Sequence, residues 1–499
     1  MGFSTIDLII VIVYMVLSAG LGTWIGRNQK DTNDYFLGGK RIPWPAVTFS
    51  IVATETSVLT FISIPAVSYL GNMTFLQIVI GYMIGRVLVA FIFIPAYYKG
   101  NMQTAYHFLG DRFGRSMRNT ASVTFMITRV LADGVRTFAT AIPLAIIIKG
   151  SGVFTGMSDA GFYAMSIVAV GLLTMVYTYV GGIRSVIWMD VVQMFIYMGG
   201  AILAGFLIVK AIPGGFDAVI DYAKPQGKFT WFTTGFNLTF AEFIKQPYTI
   251  LTAVIAGSIF SLASHGTDQI IVQRVLTCSD QRSGQKAIIA SGVAVFIQFF
   301  IFLIVGIMLF AFYHGASPEQ LSLTRADGIF PKFIVEEMPT GISGLIVAAL
   351  FAAAMSTLAS SLSSLSSAFV FDVYVPIAGK NKSEKELLKI SRFVTLGWGV
   401  ILIVTALLFI GLKGTVVEVA LGIASYTYGG LLGVFLLGLI FKRPSQKDAI
   451  IGFFTAIVVM AVVIQTVKIA WPLFTVVGAV TTILVGVLSN TFLTQKATS

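Results

Sequence analysis

The sequence predicts an all-α polytopic membrane protein, and three observations predict it. Hydrophobic residues make up 56% of the 499 positions and charged residues only 11%, with a mean hydropathy of +0.89. A soluble chain carries about 25% charged residues. Apolar runs of roughly 20 residues, enough for a helix to cross a bilayer, recur from end to end. Thirty of the 33 basic residues behind the +11 net charge lie between those runs or at their very ends, so the basic balance reports topology and not nucleic-acid binding.

The runs give thirteen spans: 6–25, 46–69, 75–98, 120–148, 160–181, 186–211, 247–273, 286–313, 341–375, 390–412, 418–441, 449–467 and 471–491. The first lacks a basic leader and a small-residue cleavage site, so Asp7–Ile25 reads as a retained span. The polar, aromatic segment 212–246 predicts a short surface helix or cap. Segments on one side carry 21 Lys/Arg and those on the other nine, among them Lys413. The positive-inside rule then places the N-terminus outside and the C-terminus inside.

The second span holds Glu55 at mid-membrane depth among Thr54, Thr56, Ser57 and Thr60. A carboxylate there costs several kcal/mol unless polar groups answer it. The helix is therefore expected to break at Thr54–Val58 and offer carbonyls and hydroxyls to an ion or solute. Five spans later the seventh is expected to break at Ser261–Gly266. Interrupted helices at matching places in two halves indicate an inverted repeat with a site at its interface.

Arg129, Asp133 and Arg136 share one face of the fourth span at i, i+4 and i+7, and Arg86 is a further cation in the third. Facing lipid would be very costly, so these side chains should face the core. The intramembrane cations Arg86, Arg129 and Arg136 balance the acids Glu55, Asp133 and Asp190. Internal networks of Arg86 with Glu55, and of Arg129, Asp133 and Arg136, account for them without a solute. A bound sodium would add one charge that an anionic solute could offset. Cys278 is the one cysteine, so no intramolecular disulfide forms. His107, His265 and His314 lie far apart, and no nucleophile pair or metal cluster points to an enzyme.

Four stretches together resemble the sodium:solute symporter family of sodium–glucose, proline, pantothenate and sialic acid carriers. They are Ser50 to Ser57 (SIVATETS), Tyr177 to Asp190 (YTYVGGIRSVIWMD), Thr267 to Arg274 (TDQIIVQR), and the serine-rich run Ala354 to Ser367 followed by Asp372-Val373-Tyr374. The resemblance covers roughly residues 5 to 445 and implies a LeuT-type fold of five helices plus five inverted helices. Residues 1–45 would then hold the extra first span and a cytoplasmic loop, 46–211 the first repeat, 212–246 an extracellular loop, 247–441 the second repeat, and 442–499 two extra spans and a short tail.

The resemblance also implies a sodium site made by the carbonyls of Ala53, Thr56 and Ala353 and the hydroxyls of Ser356 and Thr357. Positions 353, 356 and 357 share a helical face. Serines and threonines in membrane helices also merely permit close packing or bond their own i−4 carbonyls. A second cation position in some relatives matches Asp190 and Ser360 here, but its other serine is Ala359, which favours one sodium. Asp190 could instead pair Arg129 or Arg136, or cap its helix. The implied solute contacts are Glu55, Ser57, Thr60, Phe75, Ser264 and His265. Phe75 as a packing aromatic and His265 as a packed, hydrogen-bonded histidine are the competing readings. The arginine that sialic acid carriers place on this core helix aligns with Ala132.

The expected function is sodium-coupled symport of a small polar solute (sugar, sugar acid, amino acid or monocarboxylate) by a monomer in the cell membrane, with sodium as the bound ion. A proton-coupled carrier using Glu55 or Asp190, and a passive channel, are the rivals on the same fold.

Overall fold

The structure, a computed structural model, describes residues 3–100, 102–150, 156–323, 325–410 and 416–498. Lys413 lies outside them. Among the described residues all regular structure is helical. Among these residues eight helices are long and apolar enough to cross a membrane, and two bent pairs bring the number to ten.

Helix α1 (Thr5–Gly26) starts at a capping box in which the Ser4 backbone N–H donates to Asp7 (2.9 Å). The other Asp7 oxygen accepts from the N–H groups of Gly341 (2.7 Å) and Gly344 (2.8 Å), so α1 also caps a helix more than 300 residues away. After the short α2 (Thr32–Leu37), the second span is a pair bent by 69°: α3 (Trp44–Glu55) and α4 (Val58–Leu70). Then come α5 (Leu76–Tyr98), the amphipathic α6 (Ala105–Phe113), α7 (Arg115–Gly150) and α8 (Asp159–Ala211).

The fifth and sixth spans, read as two helices, run as one 53-residue path bent at Gly182. Gly182 has φ +53°, and a Cβ there would lie 2.3 Å from the carbonyl oxygen of Tyr35. Beside it Gly181 packs on Gly26 so closely that a Cβ on Gly26 would sit 2.1 Å from its Cα. The two glycines of the motif thus serve a left-handed bend and a backbone-to-backbone contact.

The segment 212–246 forms α9 (Gly215–Ala223) and α10 (Phe240–Phe243). Its Lys228 donates to the Tyr69 carbonyl (2.6 Å) and lies 3.9 Å over the Phe310 ring, and burial lowers its pKa. The seventh span is the second bent pair, α11 (Ile250–Gly266) and α12 (Gln269–Val275), at 66°. Its break falls at Thr267–Asp268, just beyond the small-residue run, because Asp268 caps α12 through the N–H of Ile270 (2.9 Å). The rest comprises α13 (Gln281–Phe312), α14 (Ile329–Glu336), α15 (Ile342–Gly379, a π-helix from Phe369), α16 (Glu384–Leu408), α17 (Val416–Ile440), α18 (Gln446–Thr466) and α19 (Pro472–Thr498). Helix α15 packs on α8 and α1, α11 on α5, and α13 on α4 and α5, while α17, α18 and α19 pack mutually.

Candidate ion and solute site

Both bent pairs open onto one cavity of about 280 Å³. Thr54, Glu55 and Thr60 reach it from the second span, and Ser264, His265 and Asp268 from the seventh. Helix α7 contributes Arg129, Ala132, Asp133 and Arg136, and α15 contributes Thr357 and Ser361. The aromatic wall is Tyr82, Phe260, Tyr428 and Trp471, with Phe260 touching each of the other three at ring-centroid distances of 5.2–5.9 Å.

At the first break Ser57 is extended (φ −91°, ψ 169°) and turns its hydroxyl to the N–H of Thr60 (3.3 Å). Its own N–H donates to the Thr60 hydroxyl (3.3 Å). The carbonyl of Ala53 thereby loses the donor a continuous helix would give it and becomes available to a cation. Thr56 donates to the Val52 carbonyl (2.9 Å) and accepts from Gln298 (2.6 Å). Across the gap, Ser356 donates to Asp190 (2.6 Å) and Thr357 to the Ala353 carbonyl (3.1 Å). A hydroxyl whose proton is committed in this way keeps lone pairs for a cation. The two sides meet, since the Thr54 and Ser360 hydroxyls are 3.2 Å apart. The donor set is all oxygen, the chemistry sodium requires.

Glu55 ion-pairs with the fully buried Arg86, whose other amino group donates to Ser291 (3.1 Å). Glu55 also faces His265 Nε2 at 2.8 Å, while the other ring nitrogen lies 2.9 Å from the Ser264 hydroxyl. The two broken spans are therefore joined side chain to side chain at their breaks.

A second network surrounds α7. Arg129 pairs with Asp268, which also accepts from Tyr428 (2.7 Å), and lies 3.4 Å from Asp133. Asp133 accepts from Ser361 and stands 3.7 Å from Arg136. Asp190, fully buried, pairs with Arg274 at 3.0 Å and not with an α7 arginine. The same guanidinium donates to Ser360 (2.5 Å) and Ser50 (2.8 Å). The positive charge at the Asp190–Ser360 position is thus an arginine of the chain itself.

Two expected solute contacts stand elsewhere. Phe75 is behind the cavity, stacked at 5.3 Å on Phe299, and Phe299 is the ring that lines it. Ser57 is used as the cap of α4. Asp268, Arg274, Tyr428 and the aromatic wall were not singled out as site residues from the sequence, although an Asp opening a helix is an N-cap signal.

A family model described as the sodium:solute symporter family matches residues 35–456. The chain belongs to this family. The sodium/sialic acid symporter of Aliivibrio fischeri is 29% identical over 498 residues, covering 98% of this chain and 93% of that protein. That of Proteus mirabilis is 29% identical over 491 residues, covering 98% and 95%. The sodium/glucose cotransporter of Vibrio parahaemolyticus is 26% identical over 495 residues, covering 91% and 84%. Among solved structures, a Na⁺-coupled sialic acid symporter in a substrate-bound outward-open state superposes with a TM-score of 0.85 at 28% identity, covering 98% of both chains. A nucleobase–cation symport family transporter shares the fold alone, at 14% identity and a TM-score of 0.52. This member of the sodium:solute symporter family is accordingly a multi-pass membrane transporter and not an enzyme, and the family pairs solute movement with sodium, which disfavours the proton-coupled rival.

Proposed function

We propose that the chain imports a small hydroxylated carboxylate together with one sodium ion, by alternating access through thirteen spans with the N-terminus outside. The ion is assigned to the carbonyls of Ala53, Thr56 and Ala353 and the hydroxyls of Ser356 and Thr357. The break at Ser57 and the committed protons of both hydroxyls support that assignment. Arg274 on Asp190 and Ser360 supports a single sodium, since the second position already holds a cation. The 21-to-nine distribution of basic residues supports the orientation. The cavity is lined by helices of one chain, and a monomer is proposed as the working unit.

The observation that carries the solute class is the state of Arg136. Its side chain is 32% exposed, it lines the cavity, and its acid, Asp133, is shared with Arg129 and Ser361. It lies one helical turn beyond Ala132, on the same face. Arg136 therefore retains donors for a carboxylate, while Glu55 and Thr60 offer acceptors to solute hydroxyls. Sodium-gradient uptake into proteoliposomes should favour sugar acids over neutral hexoses. Arg136→Ala should raise the KM for the acid by about 10- to 100-fold, as expected for a lost charge-assisted hydrogen bond, and leave sodium binding intact. Preferred uptake of a neutral sugar, or an unchanged KM in the variant, would overturn the assignment.

The drive comes from the sodium gradient; one sodium moving with one carboxylate carries no net charge, so the membrane potential, worth roughly 2.3 kcal/mol per charge per 100 mV, adds nothing. The Glu55–His265 contact gives ion and solute a common structural element, since Glu55 lies between the two proposed carbonyl ligands of the second span.

A further inference from the structure

The serine run on α15 extends well past the proposed sodium ligands, and α12 covers it. Ser356, Ser360, Ser363 and Ser367 follow one another at steps of four, three and four residues, which places them on one helical face. Each of the last three meets a donor from α12. Arg274 donates to Ser360 (2.5 Å), Gln273 to Ser363 (3.0 Å) and Gln269 to Ser367 (3.0 Å). All seven residues of α12 are buried, although it is the half of the seventh span that runs from the break to the basic loop after it.

The seal is polar and reversible. Ser360 already donates to the Ser356 carbonyl (2.7 Å) and Ser367 to the Ser364 carbonyl (3.1 Å). If α12 withdraws, these serines keep their own bonds and gain lone pairs facing the gap. Gln273 also donates to the Phe36 carbonyl (2.9 Å), while its buried side-chain oxygen has no hydrogen-bond partner among the described residues. The amide thus carries unspent capacity at the seam, which water entering on opening would satisfy. An apolar seam would instead expose hydrocarbon on each cycle.

We infer that this serine face is the exit track by which the cation leaves toward the cytoplasm, and that Gln269 and Gln273 are positioning residues holding α12 over it as the inner gate. Hydroxyls spaced one turn apart hand the cation from one oxygen set to the next, beginning at Ser356, while entering water completes its shell. Sodium at the break holds the gate shut until solute joins it. The inference rests on the proposed sodium site and orientation.

The test uses the full chain in membrane vesicles, with Cys278→Ser and Ser363→Cys, and a charged, membrane-impermeant thiol reagent. The side of the C-terminal tail is read in the same vesicles, and sodium binding is read separately by its thermal shift. Position 363 should react only from the side of the tail, at least tenfold more slowly in saturating sodium than without it. Adding Gln273→Ala should restore the sodium-free rate while sodium still binds. Should that variant not fold, protection in the chain with both glutamines decides the matter. A chain that binds sodium yet reacts equally in both conditions, reacts from the opposite side, or does not react at all overturns the track. A chain that binds no sodium overturns the reading beneath it, and the track falls too.

Discussion

Replacing Thr357 by alanine should abolish sodium-driven accumulation, and Ser356→Ala should do the same. Each change removes one of the five oxygens assigned to the ion, and a monovalent cation held by so few ligands loses occupancy steeply with each. The loss of a hydrogen-bond-sized interaction, about 1–3 kcal/mol, lowers sodium affinity by about 10- to 100-fold. Thr357 is the cleaner test. Among the described residues its hydroxyl bonds only its own helix, at the Ala353 carbonyl, so its removal disturbs none of their partners across the bundle. Ser356 also answers Asp190, so its alanine variant should lose stability as well as sodium dependence. Thr357→Ser should keep transport and Thr357→Val, of equal volume, should not. Uptake under a sodium gradient, compared with choline, checks both; unchanged uptake in both alanine variants would refute the site.

The largest stability effect should come from Arg274→Ala. Arg274 and Asp190 are both fully buried, and removing the arginine leaves a carboxylate in the membrane interior whose hydrogen-bond donors among the described residues are the hydroxyls of Ser50 and Ser356. Breaking a buried pair from one side costs about 3–5 kcal/mol, whereas neutralising both partners with similar volume is often nearly neutral. Arg274→Gln paired with Asp190→Asn should therefore recover most of what Arg274→Ala loses in thermal unfolding of the purified protein. A double variant less stable than either single change would show that the two groups do not act as a pair.

What was legible in the sequence follows from how interactions scale with chain separation. Arg129, Asp133 and Arg136 lie within two turns of one helix, and their shared face could be read from spacing alone. The break at Ser57 was legible because hydroxyls and a carboxylate have no place in an uninterrupted lipid-facing helix. Asp268 on Arg129 and Arg274 on Asp190 join residues 139 and 84 positions apart, and no local pattern specifies such pairs. The charge count of three against three balanced, yet it omitted Asp268 and Arg274, which the fold carries into the core. Phe75 shows a subtler limit: it lies beside the right cavity, but whether its ring meets the solute space or the back of Phe299 depends on packing. The second break was displaced because small residues mark where a helix can bend, whereas the capping side chain of Asp268 fixes where the next one starts.

The central claim is that one ion in the broken second span strengthens solute binding through the shared cavity. Linkage requires the effect to be reciprocal. Titration calorimetry of the purified protein with a transported sugar acid, with and without saturating sodium, and with sodium at zero and saturating solute, measures both directions. Sodium should tighten solute binding at least about tenfold, within the usual range of coupling free energies, and solute should tighten sodium binding by the same factor. Solute affinity that is equal with and without sodium would contradict the account.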